Sequence, residues 1–230
     1  TLPMPFRIFA LLLLLPALLI AQESSVPKDA FINPLNIDLR LSGTFGELRS
    51  NHFHSGLDIK TYQKEGYDVV AAADGYVSRI KISHYGYGKA IYIQHPNGYS
   101  TVYAHLQSYA PEIEAYIKKR QYEKQSYEIE LFPKAGTLEV KQGELIAYSG
   151  NSGSSGGPHL HFEIRDSSSR PMNPMLFGVD IKDTTPPLIN SIWAYPQNNN
   201  SHVNGDANRQ KIRLIPQSDG SLKAEKIKAC

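Results

Sequence analysis

Residues 150–165 read GNSGSSGGPHLHFEIR, a glycine- and serine-rich approach that passes Pro158 and opens into an alternating run. In a strand, successive side chains point to opposite faces, so His159, His161 and Glu163 share one face and Leu160, Phe162 and Ile164 share the other. The apolar face requires a core, and the two imidazoles face away from it together. The glycines before the strand predict a flexible loop beside those imidazoles. A phosphate cradle would need a lysine or a following helix, and neither follows here.

Outward from this strand the chain keeps the same character. Short runs rich in Val, Ile, Tyr and Thr at 68–73, 76–82, 90–94, 100–106 and 144–148 are separated by Gly, Pro, Asn and Asp. Turn chemistry falls between them, at Asp74-Gly75, Gly86-Tyr87-Gly88 and Pro96-Asn97-Gly98. Many short strands at close spacing predict a mostly β domain built around an antiparallel sheet. One segment departs from this: PEIEAYIKKRQYEKQ at 111–125 places Ile113, Tyr116 and Ile117 at helical spacing, with Pro111 in the first turn and Glu112 and Glu114 near the positive end. A short helix is predicted there, either as a surface decoration or as a wall over a binding cleft.

The ends differ from the middle. Arg7 precedes an uncharged run, 8–21, that includes Pro16 and stops at Ala21. At 14 residues it falls short of the roughly 20 needed to span a membrane, and its basic, apolar, small-residue order is that of an export signal. Residues 1–21 are therefore expected to be a signal peptide that leaves no stable membrane span after cleavage, followed by a lead-in at 22–41. Near 179–187, Asp183-Thr-Thr-Pro-Pro187 reads as a linker, and 188–230 as the start of a second, truncated β domain, partial and sandwich-like. So few residues of such polar composition bury little core of their own.

Composition narrows the chemistry. The 230 residues carry 24 Lys and Arg against 22 Asp and Glu, a net charge of +2 that gives no basic field for nucleic acid. The only cysteine is Cys230, so a metal would have to be held by His, Asp or Glu. Three stretches offer them: His54-Ser-Gly-Leu-Asp58, Tyr103-Ala-His105-Leu106 and His159-Leu-His161-Phe-Glu163. Alternation puts Thr101, Tyr103 and His105 on one face of a second strand, expected to line the same groove as the His159 pair. A catalytic zinc needs three N or O ligands and an open position, which His54, Asp58 and one histidine of the pair would supply. Each stretch alone is weak; their convergence in one β domain is what makes a metal site plausible.

In order, the HxxxD of 54–58, VVAAADGYV at 69–77, YAHL at 103–106 and GNSGSSGGPHLHFEI at 150–164 resemble the lysostaphin/LytM-type zinc metalloendopeptidases over residues 42–178. The resemblance implies a β-sheet groove, one zinc ion per chain, and hydrolysis of peptide cross-links or stem peptides of peptidoglycan; with the expected export signal, the place of action is the periplasm, the cell envelope or the extracellular space. It makes His54, Asp58 and His161 the zinc ligands and His105 and His159 the non-ligand catalytic pair, without dividing base from electrostatic stabiliser. Glu163 is expected to be a solvated strand carboxylate rather than a partner of the histidines. His52, His84, His95 and His202 read as structural or exposed, and Asp74 as a turn residue. An insertion at about 108–139, where the family has a short connection, leaves substrate preference and any regulatory partner open. The alternative is a non-catalytic homologue that binds cell wall and activates another envelope hydrolase; retention of all five site residues argues against it. VVAAADGYV is also similar to biotinyl or lipoyl carrier domains, but no exposed lysine turn follows it.

Overall fold

The computed structural model describes residues 26–179, 181 and 188–228, so the expected signal peptide at 1–21, most of the linker and Cys230 lie outside the described residues. Two compact units divide between residues 182 and 183. Among the described residues no helix is long and apolar enough to cross a membrane.

The first unit is a large antiparallel sheet closed against a small one. Its strands are β1 (Leu41–Gly43), β2 (Leu57–Lys60), β3 (Asp68–Val70), β4 (Gly75–Ile82), β5 (Lys89–Gln94), β6 (Ser100–Ala104) and β7 (Ser108–Tyr109). After the helix α1 (Pro111–Lys124) come β8 (Ile129–Leu131), β9 (Glu139–Val140), β10 (Leu145–Tyr148), β11 (His159–Arg165) and β12 (Pro171–Met172). The large sheet runs β1-β2-β11-β6-β5-β4-β8, with β12 on β11 and β9 on β4; the small one runs β3-β10-β7. The strand that opened the sequence reading, β11, sits between β2 and β6, which brings residues near 58 and 104 onto either side of it.

One apolar core joins the sheets. Leu57, Ile59, Ile80, Ile91, Ile93, Tyr103, Phe162 and Ile164 of the large sheet pack in a single cluster with Val69, Ile146, Ala147 and Tyr109 of the small one. The lead-in belongs to the same core: Phe31, Leu35 and Leu39 are buried, and Leu35 bridges to Val69. The strand predicted over 68–73 ends at Val70, where the chain turns inward with Ala71 and Ala72 fully buried.

The predicted helix forms at Pro111–Lys124 and stops at Gln125, which adopts the left-handed conformation and bonds back to the last turn. Ile113 and Ile117, one turn apart, are its buried residues. No residue of α1 lines the histidine-bearing cleft, so it decorates the unit's surface instead of walling the groove.

The second unit holds two two-stranded antiparallel sheets, β13 (Ile192–Ala194) with β14 (Gln210–Ile212) and β15 (Leu214–Pro216) with β16 (Leu222–Ala224). Among its described residues Val203 and Ile212 are the buried apolar side chains, while Leu188, Trp193 and Tyr195 are exposed.

Candidate metal centre

The pairing of β2 with β11 sets Asp58 directly opposite His161. His54 lies four residues before Asp58, in the segment leading into β2, where Gly56 allows a close approach: a Cβ there would collide with the Phe162 carbonyl and Glu163 of β11. Three atoms converge as a result. His54 Nε2 lies 3.0 Å from Asp58 Oδ1 and 3.0 Å from His161 Nδ1, and His161 Nδ1 lies 2.9 Å from Asp58 Oδ1. All three residues are buried.

The far side of each ring decides what these atoms are. His54 Nδ1–H donates to the Thr44 carbonyl at 2.8 Å, leaving Nε2 as a lone pair. His161 Nε2–H donates to Glu163 Oε1 at 2.8 Å, leaving Nδ1 as a lone pair. Two acceptor nitrogens and a carboxylate oxygen thus face one another at about 3 Å with no donor between them, an arrangement that calls for a cation. The set of two imidazoles and one carboxylate suits zinc, and one ion with ligands at about 2 Å can reach all three.

Glu163 corrects the sequence expectation. It is fully buried, because the face it shares with the histidines is covered by donors instead of water. Its Oε1 also accepts from Ser55 Oγ at 2.8 Å and from the Tyr87 hydroxyl, and its Oε2 accepts from Arg165 Nε at 2.6 Å. Burial pushes its carboxyl up, but the bonds from His161 and Arg165 outweigh that and hold it at about 2. Burial, with Glu163 beside it, pushes the Tyr87 phenol up and keeps it a donor.

Asp58 has a partner that sequence reading missed. Its Oδ2 accepts from Arg49 Nη2 at 2.9 Å, and the same nitrogen lies 3.2 Å from Glu47. Gly43 makes room for the pair, since a Cβ there would strike both Arg49 Nη2 and Asp58 Oδ2.

The two remaining histidines line the same cavity of about 320 Å³. His159 Nδ1–H donates to the Gly157 carbonyl at 2.8 Å, and its Nε2 lies 3.5 Å from Asp58 Oδ1. His105 Nδ1–H donates to the Ser152 carbonyl at 2.8 Å, and its ring stands 4.7 Å from that of His159 and 5.9 Å from that of His161. Both therefore keep Nε2 as a lone pair. Burial pushes His105 down to about 4, so its imidazole is neutral near pH 7.

His105 reaches the groove by a route that alternation does not describe. Thr101 and Tyr103 turn inward, where Thr101 Oγ1 meets His95 Nε2 at 2.8 Å and the Tyr103 hydroxyl accepts from the Ala72 amide at 2.8 Å. Val102 and Ala104, on the other face of β6, lie opposite Glu163 and His161 on the groove side. β6 ends at Ala104, and His105, at φ 60°, takes the left-handed conformation that swings its ring onto the groove face while Leu106 enters the core.

The glycine-serine loop is tied down along its first half. Ser152 Oγ donates to the Leu106 carbonyl at 2.8 Å and accepts from the Lys89 amide at 3.0 Å, and the Ser154 amide donates to the Gly86 carbonyl at 2.8 Å. Away from the cluster, His95 is buried and bonded to Asp74 O and Thr101, whereas His52 and His84 are exposed. Asp74 accepts from the Gln142 amide at 2.7 Å, as a turn aspartate does.

The model of peptidase family M23 matches residues 52–122 and 134–174. The chain is 32% identical over 159 residues to DD-carboxypeptidase/endopeptidase Mpg of Neisseria meningitidis serogroup B, covering 67% of this chain and 30% of Mpg. It is 28% identical over 159 residues to peptidoglycan DD-endopeptidase ShyA of Vibrio cholerae, covering 66% of this chain and 31% of ShyA. Among solved structures, a zinc containing peptidase from Vibrio cholerae aligns with a TM-score of 0.48 and 25% identity, over 67% of this chain and 41% of that one. The chain thus spans about a third of the length of the curated relatives it matches.

Proposed function

The chain belongs to peptidase family M23, and on that premise we propose that its first unit is a zinc-dependent endopeptidase hydrolysing peptide bonds of peptidoglycan cross-links or stem peptides. The observation that carries this reading is the acceptor-only cluster of His54 Nε2, Asp58 Oδ1 and His161 Nδ1, within 3.0 Å of one another. These three residues would hold the ion. When bound, zinc supplies Lewis acidity toward the scissile carbonyl and acidifies water.

The chain's own residues do the rest. Asp58 keeps one oxygen for the cluster because Arg49 engages the other. Glu163 fixes His161 in the tautomer that leaves Nδ1 free. His105 and His159, with Nδ1 committed to the carbonyls of Ser152 and Gly157, present Nε2 to the cavity. There either imidazole can take a proton from the attacking water, hand it to the leaving amine, or hydrogen-bond the developing oxyanion once protonated.

Peptidoglycan lies outside the cytoplasmic membrane, so the proposed place of action is the periplasm or cell envelope, in keeping with an export signal at 1–21. Digestion of purified peptidoglycan by the 22–230 chain, with released muropeptides read by mass spectrometry, tests the proposal. Release that a chelator abolishes and zinc restores is the expected result. No release from zinc-loaded protein would overturn it in favour of a wall-binding activator.

A further inference from the structure

The cleft continues past the histidines. A second chamber of about 530 Å³ opens beside the ligand cluster and shares Arg49, Asp58, Gly156 and His159 with the first. A peptide laid across the ligand atoms has this chamber as its continuation.

Two cations stand on its wall. Asp58 and Lys60 are two residues apart on β2 and so lie on one face, which puts Lys60 about 7 Å along the strand from the ligand. Arg40 lies across from it: the Lys60 amide donates to the Arg40 carbonyl at 2.8 Å, and the adjacent pair in register is Leu41 with Ile59. Both side chains line the chamber. Like charges facing each other on neighbouring strands repel and weaken a sheet. The acids nearby relieve this only in part. Asp38 takes Arg40 at 3.4 Å, while Asp58 is engaged by Arg49 at 2.9 Å. Among the described residues Lys60 has no ion-pair partner, and it is exposed.

We propose that this chamber is a carboxylate-binding subsite, a proposal that rests on the peptidase reading above. Lys60 supplies a point charge and Arg40 a planar fork, a pairing suited to a free carboxylate. An extended peptide advances about 3.4 Å per residue, so the carboxylate belongs to a residue about two positions from the scissile bond. The substrate class is thus an anionic peptide whose carboxylates are free, in preference to the same peptide amidated.

The probe is a fluorescein-labelled cross-linked peptidoglycan peptide, prepared with free carboxylates and again with those groups amidated. Binding is measured by anisotropy on zinc-loaded His159→Ala protein, with and without the added pair Lys60→Met and Arg40→Gln. Both positions are exposed side chains outside the core, and circular dichroism verifies the fold of each variant. The expected result is about tenfold tighter binding of the free-carboxylate peptide, a preference that falls below threefold in the Lys60 and Arg40 variant through loss on that peptide alone. Equal binding of the two peptides, binding of neither, or a preference that survives the double substitution would overturn the subsite. Turnover by the protein with His159 intact is read separately: cleavage of neither peptide, with the binding preference present, would count against the peptidase reading and leave the subsite standing.

Discussion

Glu163 Oε1 lies 2.8 Å from His161 Nε2, and through that bond a fully buried carboxylate decides which nitrogen of His161 is left for a metal. Glu163→Gln keeps an acceptor but removes the charge and strips Arg165 of its ion pair. Zinc affinity is expected to fall about 10- to 100-fold, as for loss of a carboxylate behind a metal-bound histidine. Competition with a chromophoric chelator measures it; an unchanged affinity would refute the role.

The proposed division between ligand and non-ligand histidines separates two variants. His161→Ala is expected to lose zinc and activity together, whereas His159→Ala keeps most of the zinc and loses turnover by about 100-fold or more. Metal content of the two purified proteins decides, and equal zinc loss in both would refute the division.

Gly43 and Arg49 are expected to behave as one unit with Asp58. Gly43→Ala forces the Arg49–Asp58 pair apart and should weaken zinc binding as Arg49→Gln does, with the double variant losing little more than either alone. Additive losses in zinc affinity would mean that the two residues act separately.

The left-handed backbone at His105 predicts a split between stability and catalysis. Asn tolerates that conformation and a β-branched residue does not. His105→Asn should therefore unfold close to the parent in urea, while His105→Val is less stable by about 1–3 kcal/mol. Both should lose turnover.

His95 gives a pH dependence remote from the ligands. Burial pushes its imidazole below the ordinary 6.5. Below that pH the unfolded chain binds the proton more readily than the folded one, so stability falls as pH drops, by at most about 1.4 kcal/mol per pH unit from this group. Urea midpoints from pH 7.5 to 5.5 should decline, with buried His105, held at about 4, adding to the fall; His95→Gln should make the decline shallower, and an unchanged slope would exclude His95 as one of its sources.

How much of this was legible in the sequence differs residue by residue. The period of two in 159–165 gave the faces of β11, and with them the joint orientation of His159 and His161. The same rule failed at His105, because it holds only while a strand continues, and no local signal marks a non-glycine residue that will turn left-handed. Glu163 shared the right face, but its burial depends on donors from Ser55, Tyr87 and Arg165, the first two of them 108 and 76 residues away. Arg49 sits in an irregular segment with no period to read, and its bond to Asp58 exists only because β1 carries a glycine opposite.

Asp58 Oδ1 and His161 Nδ1 belong to residues 103 apart in the chain, brought together by the pairing of β2 with β11. An ion shared between them would act as a removable cross-link across that loop, whose closure entropy the unfolded chain retains. The site comes into being only when the last of the central strands is seated between its neighbours. On the proposed ligand set, metal uptake would report completion of the sheet, and a partly folded chain would be both unloaded and harmless to the wall it is proposed to cut.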